Sequence, residues 1–227
     1  MDLKRFTAIL VAAASLSACG GTNLRTASVG SIAPAEIAPV QMAGGREMAA
    51  PRGFVAMCKA DAALCETPTT QAAANLPAEA EVALLRTVNR RVNARVRQAT
   101  DRSTSGVAEL WKKPGLDRGA VGDCEDLAIE KRALLLAAGF PADRLFYAVA
   151  YQRQLGLHAV LVARVAQGDV VLDSRTPYLT SWTEAPYTWV SRQSTANPMI
   201  WHQVASASVT SAYSGATGAT RTQIRQY

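Results

Sequence analysis

The chain has 227 residues, 49% of them hydrophobic, enough for one ordinary domain with a buried core plus appendages. Its formal charge is +6, but Lys and Arg are scattered and do not interleave with aromatics. That pattern argues against nucleic acid as a partner.

The N-terminus reads as an address. Lys4 and Arg5 precede "TAILVAAASLSA", an apolar run too short to span a bilayer, and together they mark a secretory signal. The run ends in "LSAC", residues 16–19, which resembles a bacterial lipobox. Ser17 and Ala18 are small and lead directly into Cys19, which favours lipidation of that cysteine over an ordinary cleaved signal with an incidental thiol. Residues 1–19 are therefore expected to be a lipoprotein-type signal peptide. The protein is expected to be periplasmic, tethered by its lipid to the membrane, the outer one in this reading. Residues 20–50 are mostly Ala, Gly, Pro, Ser and Thr and are expected to form a flexible tether.

Cys58, Cys65 and Cys124 remain. Disulfides persist in exported proteins, and Cys58 and Cys65 are close enough in sequence to pair. Seven positions along one helix would separate them by about 10 Å, too far for a disulfide, so pairing requires a turn between them. Cys124 is then the odd thiol.

The folded domain is expected over residues 51–204. "LPAEAEVALLRTVNRRVNARVRQ" (76–98) places Val82, Leu85, Val88, Val92 and Val96 at helical steps, with Pro77 near the start. Residues 101–121 hold Gly106, Pro114, Gly115 and Gly119 and read as a loop. A second helix is expected from about Asp123 to Ala138, burying Leu127, Leu134, Leu135 and Ala138, with Gly139 and Pro141 ending it. The period then changes to two. "LFYAVAY" (145–151), "LHAVLVARV" (157–165) and "DVVLD" (169–173) read as three strands. Helices followed by antiparallel strands indicate an α+β fold. The stretch 205–227 is polar, lacks acids and periodicity, and is expected to be a disordered tail.

Three residues form a chemical constellation: Cys124, His158 and Asp173. A thiol attacks as thiolate, an imidazole can take its proton, and the imidazole needs an orienting acceptor. His158 is one of two histidines and stands in an apolar strand. It shares a strand face with Val160 and Val162. A two-residue turn at Gln167 and Gly168 puts Asp173 opposite Val162; a register shifted by two puts it opposite Val160. Either places Asp173 on the face of His158, whereas a one-residue slip reverses it. Cys124 begins a helix, where free amides and the dipole favour a thiolate and the Cys124 amide could serve an oxyanion. Taken singly, each residue also has a structural reading: a core cysteine, a structural strand histidine, a turn aspartate.

"GDCEDLAIEKRALLLAAGF", "HAVLVAR" and "GDVVLD" resemble the three motifs of the bacterial transglutaminase-like cysteine peptidases, the group that includes the LapG-type periplasmic proteases. The resemblance extends through "GFVAMCKADAALC" and "VNRRVNARV" upstream and "YTWVSRQSTANPMIW" downstream. It implies a papain-like fold, with a cysteine-bearing helix packed on an antiparallel sheet that carries histidine and aspartate. It implies a triad of Cys124, His158 and Asp173, a protein substrate at the cell surface or in the periplasm, and an inhibitory membrane receptor as partner. Three positions depart from the pattern: Leu127 where an aromatic is common, Leu157 where Gly often precedes the histidine, and Ser174 where Asn often follows the aspartate. They bear on substrate preference more than on chemistry.

The acids around Cys124 oppose a thiolate by like-charge repulsion. One resolution is that Asp123, Glu125 and Asp126 complement the helix dipole and cap free amides. Another is a bound cation, for which grouped carboxylates suit Ca²⁺. The resemblance implies this calcium on Asp123 and Glu125, with Asp126 adjacent; the spacing permits it. Zinc on Cys124 and His158 is disfavoured because no second Cys/His pair completes a shell. Trp111 could line the cleft or pack in the core, Lys131 and Arg132 could be buried partners or solvated, and His202 lies beyond the motifs. The function expected is an exported cysteine peptidase working through an acyl-enzyme. The alternatives are a transglutaminase or deamidase acting on glutamine side chains, or a non-catalytic, calcium-dependent binding lipoprotein.

Overall fold

A computed structural model describes residues 39–65 and 76–205. The expected signal peptide with Cys19, the tether up to residue 38 and the tail from residue 206 lie outside the described residues. Among the described residues no helix is long and apolar enough to cross a membrane.

The alternating segments fold as antiparallel strands at the centre of a sheet. These are β4 (Leu145–Gln152), β5 (Gly156–Val165) and β6 (Gly168–Leu172). Four further strands complete it: β1 (Gly44–Met48), β7 (Leu179–Ser181), β8 (Thr188–Gln193) and β9 (Trp201–Val204). The seven-stranded order is β1-β9-β8-β4-β5-β6-β7, and every neighbouring pair is antiparallel.

Period two sends successive side chains to opposite faces, and here both faces are covered. Tyr147, Leu161 and Leu172 join Phe54, Leu85, Leu127, Leu135 and Trp201 in the larger core. Phe146, Val160, Val162 and Val171 meet Met42 and Trp182 on the other face. The second core corrects the expected domain boundary. Residues 39–50 belong to the fold rather than to a tether: Met42 is fully buried, its amide donates to Asp169 Oδ2 at 2.8 Å, and β1 pairs with β9. Small residues dominate this stretch and conceal one well-placed methionine.

Helix α1 (Arg52–Ala60) was not legible in the sequence; a 3-10 turn at Ala62–Leu64 follows it. That turn lets Cys58 and Cys65 form the expected disulfide, with their Cα atoms 5.5 Å apart. Helix α2 (Ala78–Arg95) buries Leu85, Val88 and Val92 as its periodicity predicts. The expected loop, residues 101–121, opens with helix α3 (Asp101–Ser105), and two parallel two-residue strands flank it: β2 (Arg97–Gln98), at the end of the stretch read as helix, and β3 (Val121–Gly122).

Helix α4 (Cys124–Ala137) packs against β5 and α2. It is buried around nearly its whole circumference from Glu125 to Arg132. Ala138, expected in the core, is exposed; Leu135 is buried as expected, and Phe140 is buried beyond the helix end. They close the helix end, because the Phe140 amide reaches the Leu135 carbonyl at 2.9 Å and the Gly139 amide the Leu136 carbonyl, also at 2.9 Å. Gly139 supplies the left-handed residue this motif requires, at φ 83°.

The β5–β6 register selects one of the two anticipated pairings. Val165 faces Gly168 and Leu161 faces Leu172, so the strand line continues Asp173 opposite Val160. Gly168 has φ 121°, and Val40 passes so close that a Cβ there would lie 2.7 Å from its carbonyl oxygen. A β-carbon fits neither condition.

Candidate active site

Cys124 is the first residue of α4 and Asp123 its N-cap. The thiol is partly exposed. The amide of Ala159, the residue after His158, donates to Sγ at 3.4 Å, so α4 delivers the sulfur to β5 beside the histidine. Cys124, His158, Trp111, Glu125 and Leu157 share a cleft of about 250 Å³. The α4–β5 packing thus brings sulfur and imidazole to one cavity from residues 34 positions apart in sequence.

His158 is buried and its Nε2 lies 2.8 Å from Asp173 Oδ1. Asp173 also accepts from the Arg175 amide at 2.9 Å and, through Oδ2, from the Tyr187 hydroxyl. Burial by itself raises the Asp173 carboxyl, but the His158 hydrogen bond and charge, then Tyr187 and Arg175, outweigh it and hold it at about 2. An ionised carboxylate at Nε2 keeps the proton on that nitrogen. In that tautomer Nδ1 is the nitrogen that carries the lone pair.

The strand end that carries Asp173 is clamped from α2. Asn93 Nδ2 donates to the carbonyls of Asp173 and Thr176 at 2.8 and 2.9 Å, and Asn89 Nδ2 to Thr176 at 2.9 Å. Gln98 Nε2 holds the Ser174 carbonyl at 2.9 Å. Lys131, fully buried in α4, donates to the Leu172 carbonyl at 3.2 Å. Of the remaining expectations, Arg132 is buried and donates to the Leu64 carbonyl at 3.3 Å. Trp111 fills both of its anticipated places, lining the cleft while packing edge-on against Phe54 and Tyr147. His202 sits on β9, its Nδ1 3.2 Å from the Gly45 carbonyl oxygen.

The acids separate into two groups. Asp123 makes no side-chain cap bond to α4. Its Oδ2 accepts from the Asp101 amide at 3.3 Å, and carboxylate oxygens of Asp101, Asp123 and Glu125 lie within 4.8 Å of one another. Asp126, expected beside Asp123 and Glu125 in a cation site, turns to the loop instead. Its Oδ1 accepts from the Lys112 amide at 2.9 Å and its Oδ2 lies 3.9 Å from Lys112 Nζ. The loop is the reason: Lys112 holds the carboxylate by its amide and ammonium, although three helical residues leave Asp126 only about 60° around α4 from Asp123.

Asp101 is the member of the cluster that the sequence did not reveal. It lies 22 residues before Asp123, and the parallel β2–β3 pairing brings the two together. No local spacing encodes that meeting. The cluster suits a hard cation. Oδ1 of Asp123 is buried without a hydrogen-bond partner, Oδ1 of Asp101 has only the Lys112 ammonium at 3.6 Å, and the donor set is oxygen only. Burial first, and repulsion among the acids second, disfavour their ionised forms. Burial pushes Glu125 up to about 8, with the Asp123 charge adding to it; burial likewise lifts Asp126 to about 7. Cys124 Sγ donates to Glu125 Oε2 at 3.0 Å. Burial, then the Glu125 charge, push its thiol well above the usual range.

In solved structures, the chain is similar to Legionella pneumophila LapG in its calcium-bound form, at 26% identity over 60% of this chain and 75% of that one, with a TM-score of 0.46. It is also similar to EGTA-treated LapG of the same organism, at 28% identity over 52% of this chain and 64% of that one, with a TM-score of 0.42. No curated protein matches. The family profile described as bacterial transglutaminase-like cysteine proteinase matches residues 44–209, a span that contains the cysteine-bearing helix and every strand of the sheet, and the chain belongs to that family.

Proposed function

We propose that the protein is an exported, lipid-anchored thiol peptidase in which Cys124 is the nucleophile, His158 the general base and Asp173 the group that orients the imidazole. The observation that carries this reading is the buried His158–Asp173 bond of 2.8 Å, beside a sulfur held against the next amide of the same strand.

The imidazole Nδ1 takes the Sγ proton while Nε2–H stays bonded to Asp173, and the thiolate attacks a peptide carbonyl. The negative oxygen that develops accepts from the Cys124 amide, which has no intrahelical acceptor in the first turn of α4. The imidazolium returns its proton to the leaving amine. Water, deprotonated by His158, then attacks the thioester, releasing the acid and restoring the thiol.

Asp101, Asp123 and Glu125 are the residues that would hold a calcium ion, consistent with their oxygen-only donors and the buried Asp123 Oδ1, which has no hydrogen-bond partner. Bound there, the ion would supply positive charge that offsets carboxylate repulsion of the neighbouring thiolate. The substrate is a protein of the cell surface or periplasm, reached from a membrane tethered through Cys19, where an inhibitory receptor would also sit.

The test compares wild type with Cys124→Ala in the native envelope and follows surface and periplasmic proteins by mass spectrometry. A protein shortened only when Cys124 is present supports the peptidase. A one-unit deamidation or a glutamine cross-link in place of cleavage assigns the acyl-enzyme to another acceptor. An envelope proteome unchanged by the substitution overturns the reading.

A further inference from the structure

Tyr187 is half-buried and touches both members of the buried His158–Asp173 pair. Its hydroxyl donates to Asp173 Oδ2, the oxygen that His158 does not use. Its ring centroid lies 5.5 Å from that of the imidazole, tilted by 46°. The ring is backed by Trp189, edge-on at 5.8 Å, and Trp189 is fixed in turn because its Nε1 donates to the Trp182 carbonyl at 3.0 Å. A cavity of about 280 Å³ is lined by Asp173 and Tyr187 together with Arg175 and Gln152. Water in that space has a direct approach to any oxygen of Asp173 that loses its partner.

We infer that Tyr187 is a positioning residue for the triad, fixing the plane of the Asp173 carboxylate and shielding its bond to His158. The inference rests on the proposed triad. A carboxylate held at only one oxygen can swing about its Cβ–Cγ bond, and the ring nitrogen that follows it loses its aim at the thiol. With Oδ1 taken by His158 and the Arg175 amide and Oδ2 by Tyr187, that rotation is blocked. The tyrosine touches neither the nucleophile nor the scissile bond in this role. It acts through Asp173.

The experiment measures the second-order rate of Cys124 alkylation by iodoacetamide in the full chain, read on the Cys124 peptide by mass spectrometry. The reagent is too small to report substrate contacts. Tyr187→Phe keeps the ring and removes the hydroxyl, and is expected to lower the rate about tenfold, as loss of a bond to an ionised group does. In an Asp173→Asn background the same substitution should change the rate by less than about twofold, because a residue acting through Asp173 has nothing left to act on. A second readout is the His158 ring N–H in proton NMR, which should exchange with solvent faster in Tyr187→Phe. Rates that multiply in the double variant, or a wild-type rate and exchange in Tyr187→Phe, overturn the inference alone. A Cys124 rate indifferent to His158→Ala overturns the triad and the inference with it.

Discussion

Lys131 Nζ donates to the Leu172 carbonyl at 3.2 Å, one residue before Asp173 and seven after Cys124. The bond ties the middle of α4 to the end of β6, the two elements that carry nucleophile and orienting acid. A fully buried ammonium with a carbonyl partner is costly to keep charged. Burial lowers its pKa to about 7 from 10.5, against the opposing pull of Asp173 and Cys124. Between those values the unfolded chain binds more protons than the folded one, so stability rises with pH across that window. Below it both states carry the proton and the full penalty remains. Urea midpoints of wild type and Lys131→Met, measured at intervals from about pH 6 to pH 10, should diverge in favour of wild type as pH rises. A constant difference removes Lys131 from the linkage.

Asp173 has the opposite sign. Its carboxyl is held at about 2, below the ordinary 3.8. Its ionised form therefore stabilises the fold fully above about pH 4, and that contribution is lost as pH falls toward about 2. Asp173→Asn lacks it throughout. The stability gap between the two proteins should be constant from about pH 5 to pH 7 and close below about pH 4, while Cys124 alkylation at neutral pH falls at least about 100-fold in the variant.

What the sequence revealed and what it hid divide along physical lines. Local periodicity placed α2, α4 and β4 to β6, because 3.6- and two-residue repeats survive in single segments. The β5–β6 register stayed ambiguous by two residues, since both alternatives keep the same residues on the same face. Met42 was missed because one buried side chain in a stretch of small residues leaves no repeat. Asp101 and Tyr187 were missed for a different reason. Each reaches the site through a long-range pairing, Asp101 by the β2–β3 contact and Tyr187 by the loop between β7 and β8, and chain separation erases any spacing signal. Asp126 shows the converse: proximity in sequence to Cys124 suggested a shared ligand set, but the Lys112 amide takes its carboxylate.

Gly122, the residue before the N-cap, is pinned by the same side chain. A Cβ there would lie 2.6 Å from Asp126 Cβ and 2.7 Å from Asp126 Oδ2. Asp126 cannot retreat without releasing the Lys112 amide. Gly122→Ala is therefore expected to cost about 1–3 kcal/mol, the usual range for overpacking, and to slow Cys124 alkylation by displacing the start of α4. Chemical denaturation and the alkylation rate check the two effects, and a variant as stable and reactive as wild type contradicts the packing.

Calcium response discriminates between the two carboxylate groupings. If Asp101, Asp123 and Glu125 hold the ion, calcium should stabilise the full chain by about 2.7 kcal/mol at 100 times its dissociation constant, and EGTA should reverse this. Asp101→Asn and Asp123→Asn each remove a charged ligand and should abolish most of the increment. Asp126→Asn weakens the acceptor for the Lys112 amide, so it should lower baseline stability yet keep the calcium-dependent rise. Thermal melts of the four proteins with calcium and with EGTA separate these outcomes. A response lost in Asp126→Asn and retained in Asp101→Asn returns the site to the three acids adjacent in sequence. In that case the parallel β2–β3 contact shapes the loop without supplying a ligand.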